Sequence, residues 1–133
     1  MSPRNARAAR VPTLVWLAAW LGWMAWIFVL SAQELPPVPR AGFSWEDKVQ
    51  HAFTYALLAL LTLGAATRVL GRRARPAALY ALAFTWAALY GLSDEWHQGF
   101  VPGRDASALD WLADASGAAL VVLTMALWRR TRA

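Results

Sequence analysis

Long, mostly uncharged stretches alternate with short charged segments along this chain. Each stretch has about 20 residues, which is the length that an α-helix needs to cross the hydrocarbon core of a bilayer. The connections between the stretches are short, so consecutive helices must be antiparallel neighbours. The pattern predicts an all-α fold, a bundle of four antiparallel transmembrane helices that forms a single domain over residues 1–133. The predicted spans lie at about 11–31, 48–70, 77–98 and 109–128.

The first stretch has a signal peptide as its alternative interpretation, because Arg4, Arg7 and Arg10 precede it like a charged leader. However, the stretch is longer than the apolar region of a signal peptide, and no cleavage motif of small residues follows it. We therefore expect a permanent transmembrane helix.

Composition supports a membrane protein and excludes several other classes. Of the 133 residues, 59% are hydrophobic and 16% are charged, whereas a soluble domain has about 25% charged residues. A soluble domain of this size could not bury so much apolar surface. The absence of cysteine excludes disulfides, cysteine zinc sites and cysteine nucleophiles.

Basic residues predict the orientation in the membrane. Ten of the 13 lie before the first span, between the second and third spans, or after the fourth: Arg4, Arg7, Arg10, Arg68, Arg72, Arg73, Arg75, Arg129, Arg130 and Arg132. The positive-inside rule then places both termini in the cytoplasm. This topology signal, with contact to anionic lipid, explains the basic clusters without a nucleic-acid partner. All eight acids and both histidines fall on the outer half.

Two polar stripes begin at the outer ends of the second and fourth spans. Asp47, His51 and Tyr55 follow each other at intervals of four residues, and Lys48 lies at the edge of their stripe. Ionisable groups within a span normally face the bundle interior or a wet cavity. We interpret His51 as a functional residue, with a hydrogen-bonded core histidine as the alternative.

The second stripe consists of Asp110, Asp114 and Gly117. Asp110 also ends a Ser-x-x-Asp pattern that starts at Ser107, and Asp47 ends a similar pattern that starts at Ser44. Such patterns are typical of helix N-termini, so capping is the structural alternative for both acids.

The outer end of the third span carries Asp94 and Glu95, where the helix dipole disfavours acids. Adjacent side chains point about 100° apart. We expect Glu95 to face the bundle interior together with Gln98. Asp94 is expected to lie nearer the rim of the bundle. A turn at Pro102-Gly103 then brings Arg104 over the same opening, either in a structural ion pair or as a clamp for a carboxylate or phosphate.

A metal site is the rival interpretation of this outer cluster. Its candidate ligands are His51, Glu95, Asp110, Asp114 and His97. No ligand spacing of a known metal motif supports it, and we predict neither a metal nor a cofactor.

Read in order, these residues resemble the VanZ-like family of small bacterial membrane proteins. The resemblance covers about residues 28–121. Its elements are Ser31-Ala-Gln33, Asp47-Lys48-x-x-His51-x-x-x-Tyr55, Tyr90-Gly91, Asp94-Glu95-x-x-Gln98-x-Phe100-x-Pro102-x-Arg104, Asp110 and Gly117.

The resemblance implies an integral membrane protein of the bacterial cell envelope, in the cytoplasmic (inner) membrane. The founding member is linked to resistance to the glycopeptide teicoplanin, and the family name brings no established catalytic mechanism. One position departs from the family pattern. Asp114 stands where the family usually has Asn, and it adds a carboxyl group that can carry a negative charge.

Our functional hypothesis is an outward-facing polar pocket that binds an anionic lipid or the head group of a cell-wall precursor. Arg104 and Lys48 are expected to hold the anion, and Glu95 and His51 are the acid–base candidates if the protein is an enzyme. The other ligand-binding candidates are Gln98, Tyr55, Asp47, Asp110 and Asp114. The alternatives are a non-enzymatic scaffold whose polar cluster is structural and, ranked last, a transporter or lipid flippase. No protein partner can be named.

Overall fold

The computed structural model of the protein describes residues 11–34 and 45–132, apart from the side chain of Arg72. Ser44, Arg40 and the three N-terminal arginines lie outside the described residues. The predicted cap of the second span, which involves Ser44, thus falls outside the described part of the chain.

The described chain folds into four α-helices, which are α1 (Thr13–Ser31), α2 (Trp45–Leu70), α3 (Pro76–Gln98) and α4 (Ala108–Arg130). A short 3₁₀ turn, Gly71–Arg73, follows α2. Each α-helix is long and apolar enough to cross a membrane, and no strand occurs among the described residues. The prediction of an all-α, four-helix membrane protein is confirmed.

Local sequence explains two of the helix starts. Pro76 occupies the first turn of α3, where its missing N–H removes no helix hydrogen bond. Ser107 caps α4, because its Oγ accepts a hydrogen bond from the backbone N–H of Asp110 at 3.2 Å. The N-cap predicted from the Ser-x-x-Asp pattern is thus present at α4.

The centre of the bundle is α2, which packs against each of the other three helices. Its closest neighbour is α4, and the two helices run in the same direction. Small side chains fill the bundle interior, and Ala59, Ala83, Ala87 and Ala118 are completely buried. Small residues let helix backbones approach closely, which is how helices associate in a membrane where no hydrophobic effect drives them together.

Tryptophan and tyrosine side chains attach α1 to the bundle. Trp20 donates its ring N–H to the Thr62 hydroxyl at 3.0 Å, and Trp23 donates to the Thr54 carbonyl at 3.0 Å. The Tyr90 hydroxyl of α3 donates to a carbonyl of α1 at 2.8 Å. The up-and-down order of the helices brings the C-termini of α1 and α3 to the same end as the N-termini of α2 and α4.

Candidate functional site

A cavity of about 240 Å³ opens at the end of the bundle that carries the acids. It lies where the end of α1, the start of α2, the end of α3 and the loop after α3 meet. Its lining residues are Ile27, Leu30, Ser31, Gln33, Asp47, Gln50, His51, Thr54, Tyr55, Asp94, Gln98 and Arg104.

The predicted stripe on α2 forms one wall of this cavity. Asp47, His51 and Tyr55 all line it, together with Gln50 and Thr54 from the same helix. The Nε2 atom of His51 lies 4.0 Å from Oδ1 of Asp47, and Tyr55 is only 1% exposed. The helical repeat explains this wall, because residues three and four positions apart share a face.

The prediction that Glu95 faces the bundle interior while Asp94 lies nearer the rim is wrong. Both side chains are buried, with exposed fractions of 8% and 4%, and it is Asp94 that lines the cavity. Gln98 donates its amide N–H to Asp94 at 3.1 Å. Glu95 is directed towards the start of α4, where it binds the backbone of Ser107. Both side chains are buried because α3 packs against α2 as well as α4.

Glu95 stabilises the start of α4. Its Oε2 accepts the backbone N–H of Ser107 at 2.7 Å. In a capping box, the acid three residues after the cap takes this N–H. Here that acid, Asp110, binds Lys48 instead, and Glu95 replaces it from another helix. The arrangement also gives a carboxylate at the unfavourable end of α3 a donor at the positive end of α4.

Two side-chain pairs join α2 and α4. Lys48 donates to Asp110 and also to Asp47, the latter at 3.0 Å. One turn further into the bundle, Nδ1 of His51 lies 3.0 Å from Oδ1 of Asp114, which is completely buried. Lys48 is therefore held by carboxylates and lies outside the cavity lining.

Gly117 explains the close approach of these helices. A Cβ atom at this position would collide with the backbone of Ala52 on α2. Because glycine has none, α4 lies directly against α2, and the two side-chain pairs can form one and two turns away.

Arg104 binds the end of α1. Its Nε donates to the Gln33 carbonyl at 3.2 Å, and Nη2 donates to the Leu30 carbonyl at 2.8 Å. The Leu30 carbonyl lies in the last turn of α1 and also accepts the backbone N–H of Gln33 at 3.3 Å, and Gln33 itself lies just after the helix. Arg104 makes no ion pair with a carboxylate in the described ranges, and it lines the cavity as well.

The same end of the bundle places possible metal ligands together. His51 forms one group with Glu95 and Asp114 and another with Asp47 and Asp110, and the ligand atoms of each group lie within 4.8 Å of one another. His97 belongs to neither group. Its ring stacks on Phe28 instead, with the two ring centroids 4.9 Å apart. His51, Glu95, Asp110 and Asp114 were predicted as candidate ligands from the sequence, whereas Asp47 was not, and no spacing along the chain groups them.

Some cavity residues were not singled out beforehand as ligand-binding candidates. Gln50 and Thr54 each lie three residues after a member of the α2 stripe, so the helical repeat could have identified them. Asp94, like Glu95, is an acid at the C-terminal end of α3, where the helix dipole disfavours negative charge, so the same argument could have identified it. Ile27 comes from α1 and Gln33 from the residues just after it, and only the packing of α1 against the bundle places them at the site.

A protein-family model described as VanZ/LLP1 matches residues 13–129 of the chain. No curated protein and no solved structure gives a significant match. The matched range covers all of α1, α2 and α3 and nearly all of α4.

Proposed function

The chain belongs to the VanZ/LLP1 family, and on this premise we propose that its cavity binds the polar head group of an anionic envelope lipid or lipid-linked cell-wall precursor. The observation that carries the proposal is the cavity itself. It combines charged and hydrogen-bonding side chains with the apolar side chains of Ile27 and Leu30. A lipid needs both kinds of contact, one for its head group and one for the start of its chains.

Within this proposal, Arg104 binds the anionic group. A guanidinium suits phosphate and carboxylate because its planar N–H groups match their oxygens. Two of its nitrogens already donate to the carbonyls of Leu30 and Gln33, at and just after the end of α1, so the side chain is held in position at the cavity before a ligand arrives. Lys48 contributes indirectly, because it neutralises carboxylates next to the cavity.

Neutral parts of the head group are assigned to the α3 and α2 walls. Asp94 accepts hydrogen bonds from hydroxyl or amide groups of the ligand, and Gln98 donates hydrogen bonds to such groups. Tyr55 and His51 form the opposite wall. If the protein acts on its ligand, His51 is the acid–base candidate that reaches the cavity, and Glu95 lies 4.0 Å behind it.

Native mass spectrometry of the detergent-purified protein tests the proposal. The wild type is expected to retain an anionic phospholipid or a polyprenyl phosphate. Arg104→Ala and Asp94→Asn should each reduce the retained fraction about tenfold, which corresponds to about 1.4 kcal/mol. Glu46→Gln is the matched control, because Glu46 is exposed in the first turn of α2 and outside the cavity lining.

Thermal unfolding of the same preparations accompanies the lipid measurement. Equal retention of lipid by all four proteins would refute the proposal. Loss of lipid in a variant that keeps the wild-type unfolding temperature would support it, because the loss then cannot come from a damaged fold.

A structural role of the polar cluster is the second candidate function. It is favoured by the hydrogen bonds that join α2, α3 and α4 through Lys48, His51 and Glu95. Buried polar networks can specify a unique packing of helices. In that case, the variants lose stability and function in proportion, and a stable but inactive Asp94→Asn protein speaks against it.

Two finer parts of the proposal concern the cell. We propose that the protein lies in the bacterial cytoplasmic membrane with the cavity on the outer face, because the basic residues lie at the opposite end.

We also propose a link to teicoplanin, which rests on the family resemblance. Expression of the wild type should raise the teicoplanin concentration that a host tolerates, Arg104→Ala should not, and tolerance of an antibiotic that does not act on the cell wall should stay constant. Unchanged teicoplanin tolerance would remove this link.

A further inference from the structure

We infer that His51, Glu95 and Asp114 form a site for one divalent transition-metal ion beside the cavity. The three side chains come from α2, α3 and α4, and one ligand atom of each lies within 4.8 Å of the others. Nδ1 of His51 is 3.0 Å from Oδ1 of Asp114 and 4.0 Å from Oε1 of Glu95.

Buried carboxylate oxygens without a hydrogen-bond donor support a bound cation independently of the ligand spacing. Oε1 of Glu95 and Oδ2 of Asp114 are buried and accept no hydrogen bond. Both residues are more than nine-tenths buried. A buried carboxylate oxygen without a donor costs free energy, and buried polar groups that lack a protein partner call for an explanation. A cation between the carboxylates satisfies Oε1 of Glu95 directly and offsets the charge of both groups.

The spacing of the ligand atoms suits such an ion. Nitrogen and oxygen ligands lie about 2.0–2.2 Å from Zn²⁺, so two ligands of a tetrahedral ion are about 3.4 Å apart. The distances from Nδ1 of His51 to the two carboxylate oxygens, 3.0 and 4.0 Å, lie on either side of this value. A shift of the Glu95 carboxylate by less than 1 Å towards His51 closes the difference. Oε2 keeps its hydrogen bond from Ser107, which orients the carboxylate as a ligand.

The charges around the site also favour a cation. Four carboxyl groups lie at or beside the site, those of Asp94, Glu95, Asp110 and Asp114. Among the described residues next to them, Lys48, Arg104 and His51 can carry positive charge. Like charges are costly at such short distances inside a protein, so a divalent ion balances the excess of negative charge.

The mixture of one imidazole and two carboxylates indicates the class of metal. Mg²⁺ and Ca²⁺ prefer oxygen ligands alone, whereas Zn²⁺ and Mn²⁺ accept a combination of nitrogen and oxygen. Three protein ligands leave a coordination position open. Because His51 lines the cavity, an ion at its Nδ1 adds positive charge next to the proposed head group. This role in ligand binding, unlike the site itself, rests on the proposed function.

Metal titration of the tag-free protein in detergent tests the site without any lipid. After treatment with a chelator, the wild type should bind one equivalent of Zn²⁺ in calorimetry. Glu95→Gln and Asp114→Asn should each weaken binding at least tenfold, because each replaces an anionic ligand with a neutral amide. Glu46→Gln and Asp105→Asn make the same chemical changes at exposed positions and should bind as the wild type does.

Absence of stoichiometric Zn²⁺ and Mn²⁺ binding by the wild type would overturn the inference. So would loss of binding in Asp110→Asn with unchanged binding in Glu95→Gln and Asp114→Asn, since the ion would then occupy the other group. If the ligand variants do not fold, X-ray absorption of the wild-type Zn²⁺ complex decides. A single imidazole with oxygen neighbours at about 2.0–2.2 Å, together with unchanged Zn²⁺ binding by Asp110→Asn, supports the site, and two or no imidazoles refute it.

Lipid retention measured with and without Zn²⁺ separates this inference from the proposed function. Stoichiometric metal binding with unchanged lipid retention keeps the metal site and removes its role in head-group binding. If the wild type retains lipid but binds no metal, and Arg104→Ala loses the lipid, the proposed function stands and the metal site is refuted.

Discussion

Single side chains decide how closely the helices of this bundle approach. Gly117 permits contact between α4 and the backbone of α2 at Ala52. That contact sets the distance over which Lys48 reaches Asp110 and His51 reaches Asp114. A single hydrogen atom in place of a methyl group therefore underlies the geometry of the candidate site.

Gly117→Ala is expected to destabilise the protein. The added Cβ meets backbone atoms, which cannot rotate away as a flexible side chain does, and overpacking of this kind costs about 1–3 kcal/mol. The free energy of unfolding in mixed micelles measures the loss. Gly22→Ala is the control, because no atom lies within 4 Å of a Cβ at that position. Alanine favours a helix over glycine by about 0.5–1 kcal/mol, so Gly22→Ala should be neutral or slightly stabilising. Equal effects at both positions would contradict the close approach.

At the scale of the elements, α1 differs from the other helices. It packs against α2 and, less extensively, α3, whereas α2, α3 and α4 pack closely with one another. Only Ile27 and Ser31 of α1 are buried. Hydrogen bonds from Trp20, Trp23 and Arg104 supply much of its attachment. Because α1 contributes one wall of the cavity, its attachment also determines whether the cavity exists.

Substitution of individual tryptophans should separate attachment from lipid contact. Trp20→Phe and Trp23→Phe each remove a hydrogen bond to α2 and should lower the free energy of unfolding by about 1 kcal/mol. Trp26→Phe is the matched control, since Trp26 is 53% exposed and should change stability by less than about 0.5 kcal/mol. Chemical unfolding in mixed micelles, followed by far-UV circular dichroism, provides the comparison. A larger loss at Trp26 than at Trp20 and Trp23 would refute this account of α1.

At the scale of the whole molecule, the two ends of the bundle have opposite chemistry. The cavity and the acids occupy one end. The other end carries Arg68, Arg73, Arg75, Arg129 and Arg130, at the junction of α2 with α3 and at the end of α4. The positive-inside rule therefore predicts that the basic end lies in the cytoplasm.

Cysteine labelling in intact cells measures this orientation. The chain contains no cysteine, so single substitutions report without a background. Asp105→Cys, in the exposed loop before α4, should react with a membrane-impermeant maleimide added outside. Thr131→Cys, after α4, should react only after permeabilisation. The wild type is the unlabelled control, and the reverse pattern of labelling would place the cavity on the cytoplasmic side.

Local features of the chain are enough to predict the class of fold and the polar end of the bundle. Span lengths, apolar composition and the positions of charges are local properties, and they require no knowledge of which helices touch. The helical repeat also placed Asp47, His51 and Tyr55 on one face, and all three line the cavity. The Ser-x-x-Asp pattern identified the N-cap of α4 for the same reason, since a cap involves neighbouring residues.

The partners of the polar groups follow only from tertiary packing. Packing directs Asp94 to the cavity and Glu95 to Ser107, and it brings Arg104 to the Leu30 carbonyl of α1. It also pairs His51 with Asp114 across α2 and α4. These contacts depend on the rotation of each helix about its axis and on the path of the loop after α3. Both are set by packing between residues far apart in the chain, and no periodicity within one helix encodes them.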